Sequence, residues 1–99
     1  MQPFERFKKA NTEGNLWIYV LSLGKEGEIN DEEVGKIIFE KFGFLPNDIL
    51  LKSVLYRLKN QGCIKTEKFK GKRAYSTTEM GKKELGKMMK FSADILQEI

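Results

Sequence analysis

LYRLKNQGCIKTEKFKGKRAYSTTEMG, residues 55–81, changes texture twice. Up to Gly62 it carries a helical stripe. From Cys63 to Thr77 it reads as two short strands around a tight turn at Gly71, and from Thr78 it opens a charged helix. Inside it KFKGKRAY, residues 68–75, holds four positive charges and no negative one. The whole chain has 18 Lys and Arg against 14 Asp and Glu, so this turn carries the entire net charge of +4. A surplus gathered on one turn, beside a helix with its own polar and basic face, is the electrostatic footprint of a protein that binds duplex nucleic acid.

On the N-terminal side, PNDILLKSVLYRLKNQG predicts a helix capped by Asn47, with Asp48 in its first turn. Leu51, Val54, Leu55 and Leu58 form its buried stripe, and Lys52, Ser53, Tyr56, Lys59 and Asn60 its polar face. Before it, INDEEVGKIIFEKFG has the Asn30 to Glu33 spacing of a capping box, followed by Val34, Ile37, Ile38 and Phe42 at helical spacing. Earlier still, NLWIYVLSL from Asn15 is apolar almost all round and predicts an enclosed helix that ends at Gly24 to Gly27. Residues 1–10 form an arm whose state the pattern leaves open. On the C-terminal side, Gly81, Leu85, Met88, Ser92, Ile95 and Ile99 repeat at the spacing of a helix that packs on another helix.

Three helices, a hairpin and a trailing helix make a mainly α chain with a small β-hairpin: a winged helix-turn-helix with a long C-terminal dimerisation helix. The expected division is 1–77 for the winged domain with its arm and 78–99 for the dimerisation helix. The third helix then enters the major groove and the basic turn is the tip of a wing on the phosphate backbone.

Composition narrows the function. The chain is of single-domain length at 99 residues and contains no His, which removes the commonest general base and the commonest zinc ligand together. Carboxylates at Glu26, Glu28, Glu32 and Glu33 have no nucleophile beside them, and the glycines are not spaced as a nucleotide loop, so no catalytic residue, metal or cofactor is expected and the chain reads as a non-enzyme. The lone Cys63 reads as a buried hydrophobe. There is no apolar run of membrane-spanning length, and MQPFERFKKA is not a secretory signal, which points to a cytoplasmic protein without membrane contact.

LYRLKNQGCI followed by KRAYSTTEMGKKEL resembles the PadR-like transcriptional regulators, in which a Leu, basic, Leu, Gly, Ile pattern closes the third helix. In that family an aromatic on the returning wing strand precedes a Thr-x-x-Gly opening of the last helix. The matching positions are Leu55, Arg57, Leu58, Gly62, Ile64, Tyr75, Thr78 and Gly81, within a likeness spanning roughly Leu16 to Leu85. The chain departs from the family at Asp31, Glu32 and Glu33, where a Gly-Tyr pair usually opens the second helix, and at Lys52, usually Tyr. The resemblance implies a homodimeric, repressor-like DNA binder joined through its C-terminal helix, of the compact type with one tail helix.

Residue by residue, Asn47, Lys52 and Ser53 are expected near base edges and Tyr56 and Lys59 on the same contact face, with Lys68, Lys70, Lys72 and Arg73 on phosphates. Leu85, Met88, Met89, Ser92, Ile95, Leu96 and Ile99 are the expected dimer contact. Trp17 and Tyr19 could line a pocket for a flat aromatic effector, as the resemblance would allow; ordinary core packing is the plainer reading. The expected partners are double-stranded DNA and a second copy of the chain. Two other readings stay open: an architectural protein that coats DNA without sequence preference, against which the modest charge of +4 argues, and a winged helix that binds protein through Tyr56.

Overall fold

The computed structural model describes residues 1–99. In chain order the elements are α1 (Pro3–Ala10), a 3-10 turn (Glu13–Asn15), α2 (Leu16–Gly24), β1 (Ile29–Asn30), α3 (Val34–Phe42), α4 (Asp48–Asn60), β2 (Ile64–Phe69), β3 (Lys72–Thr77) and α5 (Glu79–Glu98). The fold is the mainly helical winged helix expected from the pattern.

The core forms where the helical stripes meet. Leu16, Val20, Leu21 and Leu23 of α2 pack with Val34 and Ile38 of α3 and with Leu51, Val54, Leu55 and Leu58 of α4. The start of β2, Tyr75 of β3 and Leu85 of α5 close the remaining sides. The side chains of β3 bind this core to the sheet: the Tyr75 hydroxyl donates to the Val20 carbonyl at 2.8 Å and the Thr77 hydroxyl to the Leu21 carbonyl at 2.7 Å. Both bonds satisfy main-chain acceptors at the heart of α2, where an unpaired polar group would be costly.

The sheet has three strands, not two, in the order β1-β3-β2 and antiparallel throughout. β1 pairs Ile29 with Tyr75 and Asn30 with Ala74. This corrects the capping-box reading of Asn30 and Glu33. Asn30 belongs to the strand; its Oδ1 accepts from the Glu32 N–H at 2.8 Å and its carbonyl from the Glu33 N–H at 2.9 Å, forming a turn. The helix starts only at Val34, and no side chain caps it. Asn30 and Glu33 satisfy the local spacing, but pairing with a strand more than forty residues on takes Asn30 into the sheet.

The arm is the helix α1, opened by Pro3 where a missing N–H costs nothing, and none of its residues is buried. At the other end, α5 is seated by Thr78. Its hydroxyl donates to the Gly62 carbonyl at 2.6 Å and accepts from the Gly81 N–H at 3.2 Å, while its own N–H donates to the Cys63 carbonyl at 3.0 Å. Gly81 then lies against the Cys63 carbonyl so closely that a Cβ would collide with it and with Thr77 Cγ2. The seating corrects the dimer assignment of Leu85, which is 6% exposed and belongs to this chain's own core because the first turns of α5 roof α2. Met88 is half-buried against the same core. Met89, Ser92, Ile95, Leu96 and Ile99 are exposed, as is every residue from Met89 onward.

Candidate nucleic-acid interface

Asn47 starts α4 in extended backbone and its Oδ1 accepts from the Leu50 N–H at 3.0 Å, so the acceptor expected at a base edge is engaged in capping. With Leu51, Val54, Leu55 and Leu58 turned inward, about 3.6 residues per turn put Ile49, Ser53, Tyr56 and Asn60 in a line directly opposite. All four are exposed, Tyr56 by 70%. Lys52 and Lys59 flank this line on one side. Lys52 Nζ lies 3.2 Å from Asp48 Oδ2 in a pair open to water on both sides, which contributes little stability and which a phosphate can displace at small cost.

The wing leaves the body after Thr66. Residues 67–73 are all exposed, and the tip is a two-residue turn, Lys70-Gly71, with φ of 50° and 79°. Positive φ at both positions is the mirror-image turn that matches the twist of a hairpin, which is why glycine sits at Gly71. Lys70 is the only other-than-glycine residue in that region of backbone space, and its Nζ stands 5.5 Å from the centre of the Phe69 ring. In the register Lys68 faces Arg73 and Phe69 faces Lys72. Two-residue alternation therefore puts Lys68 and Arg73 on the sheet face that Tyr75 uses, toward the helices, and Phe69 and Lys72 on the other.

Between wing and helix stands Asp31, a residue whose place in the sequence suits the positive end of a helix dipole. Its N–H donates to the Arg73 carbonyl at 2.9 Å, extending the β1–β3 ladder by one bond. Its Oδ1 is buried and accepts no hydrogen bond from the protein. The charges of Arg73 and Lys59 act on it, yet neither forms an ion pair with it; the five ion pairs of the chain all lie elsewhere. Burial raises its carboxyl above the ordinary value, with Arg73 and then Lys59 offsetting part of the rise. Burial, with the Asp31 charge adding to it, likewise pushes the Tyr75 hydroxyl well above its usual range. The wing and α4 thus share one anion, a feature visible only once β1 is paired.

A raised folded-state value means that the folded chain holds the Asp31 proton more tightly than the unfolded one. The contribution is fully present below the ordinary carboxyl value and is lost as pH rises through the raised one. Asp31→Asn is therefore expected to be more stable than the parent at pH 7, with the difference vanishing toward pH 3, as urea melts of both proteins across that range would read.

Trp17 and Tyr19 are not brought together. Tyr19 stacks edge-on against Phe42 and Phe44, at 4.8 and 5.0 Å between ring centres, and its hydroxyl donates to the Asn11 carbonyl. Trp17 lines a separate open cleft of about 540 Å³ between Arg57 of α4 and Met80 and Glu84 of α5, with its Nε1 donating to Asn15 Oδ1 at 3.2 Å. Tyr19 does not line that cleft.

No family model matches this chain, and no curated protein does. Among solved structures, a transcriptional regulator from Clostridium thermocellum is 24% identical with a TM-score of 0.72, over 87% of this chain and 90% of the other. PadR of Bacillus subtilis in complex with operator DNA is 23% identical with a TM-score of 0.67, over 75% of this chain and 46% of the other. A PadR-like transcriptional regulator from Bacillus cereus is 29% identical with a TM-score of 0.62, over 74% of this chain and 44% of the other. The matches to the last two thus span less than half of those proteins' length.

Proposed function

We propose that this chain, whose fold is that of the PadR-like winged helix, is a DNA-binding transcriptional regulator that inserts α4 into the major groove and lays its wing along the phosphate backbone. The observation that carries the reading is the placement of the whole charge surplus on the exposed wing, next to an outward line of Ser53, Tyr56 and Asn60 on α4. The wing charges supply affinity and salt dependence, and the α4 line supplies discrimination between sequences. The solved relative that carries operator DNA supports the same assignment. The work is binding and occupancy, consistent with a repressor.

The active species in this reading is a homodimer. Phe91, Ile95 and Leu96 of α5 and Ile99 just past its end are exposed by 46% or more, an apolar surface that a second copy would cover. The 20-residue α5 is about 30 Å long, enough to hold two α4 helices roughly 34 Å apart for a palindromic site.

Fluorescence anisotropy with mixed-sequence duplex across a salt series tests the reading. Binding that weakens steeply with salt is expected, and absence of binding at low salt would turn the reading toward a protein-interaction module. Once a preferred site is selected, Tyr56→Ala should lower its ratio to random duplex by about tenfold while changing random-duplex affinity little. Lys70→Ala and Lys72→Ala should weaken both duplexes alike. Equal losses in the two groups of variants would contradict this division.

A further inference from the structure

Ile49 lies outside the set of residues expected to touch DNA, and its place in the fold calls for an explanation. It is the second residue of α4, it is 80% exposed, and it begins the line that continues through Ser53, Tyr56 and Asn60. Nothing in its own chain covers it. A single exposed aliphatic is ordinary on a protein surface. Here it heads a line of hydrogen-bonding side chains at the helix end that meets base edges in a helix-turn-helix. The only apolar group that a base pair displays in the major groove is the 5-methyl of thymine. A β-branched side chain on a helix is also stiff at its first torsion, so Ile49 meets that methyl with little rotamer freedom to lose.

We propose that Ile49 is a specificity-determining residue that packs on a thymine 5-methyl group in the major groove, so that the preferred half-site carries an A·T pair where the first turn of α4 enters. The proposal rests on the DNA-binding reading above and goes beyond it by naming the base feature that is read. Ser53, one turn along the same line, can serve the neighbouring base edge with its hydroxyl, which donates or accepts.

The test uses the whole 99-residue chain and a duplex selected by it from a random library. Each thymine of that duplex is replaced in turn by deoxyuridine, which removes the methyl and leaves every hydrogen-bonding group. For the parent protein, one replacement per half-site should weaken binding by about fourfold, the effect of one methyl-sized burial. Ile49→Ala should bind the thymine duplex more weakly and show no penalty for the same replacement, while Ile49→Val, which keeps the branched contact, should retain most of it. Because Ile49 is exposed, both variants should melt like the parent, which circular dichroism would verify. Indifference of the parent to every replacement, or an undiminished penalty in Ile49→Ala, would overturn the proposal and leave the DNA-binding reading standing. Failure of the parent to bind any duplex at low salt would remove both.

Discussion

Gly81→Ala is expected to lower the melting temperature by roughly 12–24 °C. Gly81 is the third residue of α5, and the position its Cβ would take is filled by the Cys63 carbonyl and by Thr77. Neither obstacle can swing aside. The carbonyl accepts the Thr78 N–H and continues into β2, and the Thr77 hydroxyl is held by the Leu21 carbonyl in the core. Relief requires α5 to lift, which breaks the Thr78 cap and uncovers Leu85. Overpacking of this kind costs about 3 kcal/mol, and a domain of this size loses about 4–8 °C per kcal/mol. Gly86 is the control, five residues on in the same helix with open space where its Cβ would be. Gly86→Ala should raise the melting temperature by several degrees, because alanine favours helix over glycine by about 1 kcal/mol. Similar melting curves for the two variants would show that α5 is not seated at the Cys63 turn.

Simultaneous replacement of Lys70, Lys72 and Arg73 by alanine should reduce the slope of log affinity against log salt by about 2.7 and weaken duplex binding at low salt by roughly a hundredfold. Each phosphate neutralised releases counterions worth about 0.9 in that slope, and the three residues are exposed at the wing tip with no ion-pair partner. Their removal should leave the melting temperature within a few degrees of the parent, since it abolishes only the contact of the Lys70 ammonium with the Phe69 ring at the exposed tip and the Arg73 charge that offsets part of the burial of Asp31. An unchanged slope in a folded variant would take the wing off the phosphates. The same titration separates regulator from architectural protein, because the triple variant should keep its preference for a selected site while losing affinity everywhere.

The elements legible in the sequence are those whose signals are local. Asn47 caps α4, Thr78 caps α5 and Gly71 makes the wing turn, because in each case a side chain or a missing Cβ acts within three residues of itself. β1 is not legible, since two residues become a strand only by meeting Ala74 and Tyr75. Asp31 is obscured for the same reason: its surroundings come from β3 and α4, far along the chain. The stripe of α5 is correct in period, but its first turns pack on α2 of the same chain. Its periodicity marks an apolar side without saying that Leu85 faces α2 while Ile95 faces outward. Ile49 is hidden in the sequence because an aliphatic next to a helix start reads as core until the buried side is known.

The long reach of β3 has a consequence for how the protein is made. Tyr75 and Thr77 bond to α2 carbonyls 55 and 56 residues earlier, and β1 has no strand to pair with until β3 arrives. At a synthesis rate of about 5–20 residues per second, α2 to α4 therefore wait roughly 1–11 s, according to their distance from Thr77, for the strand that covers the side of their core facing the sheet. The last strand of the wing is also the closing piece of the core, so a chain that stops short of Tyr75 lacks both side-chain bonds that tie α2 to the sheet.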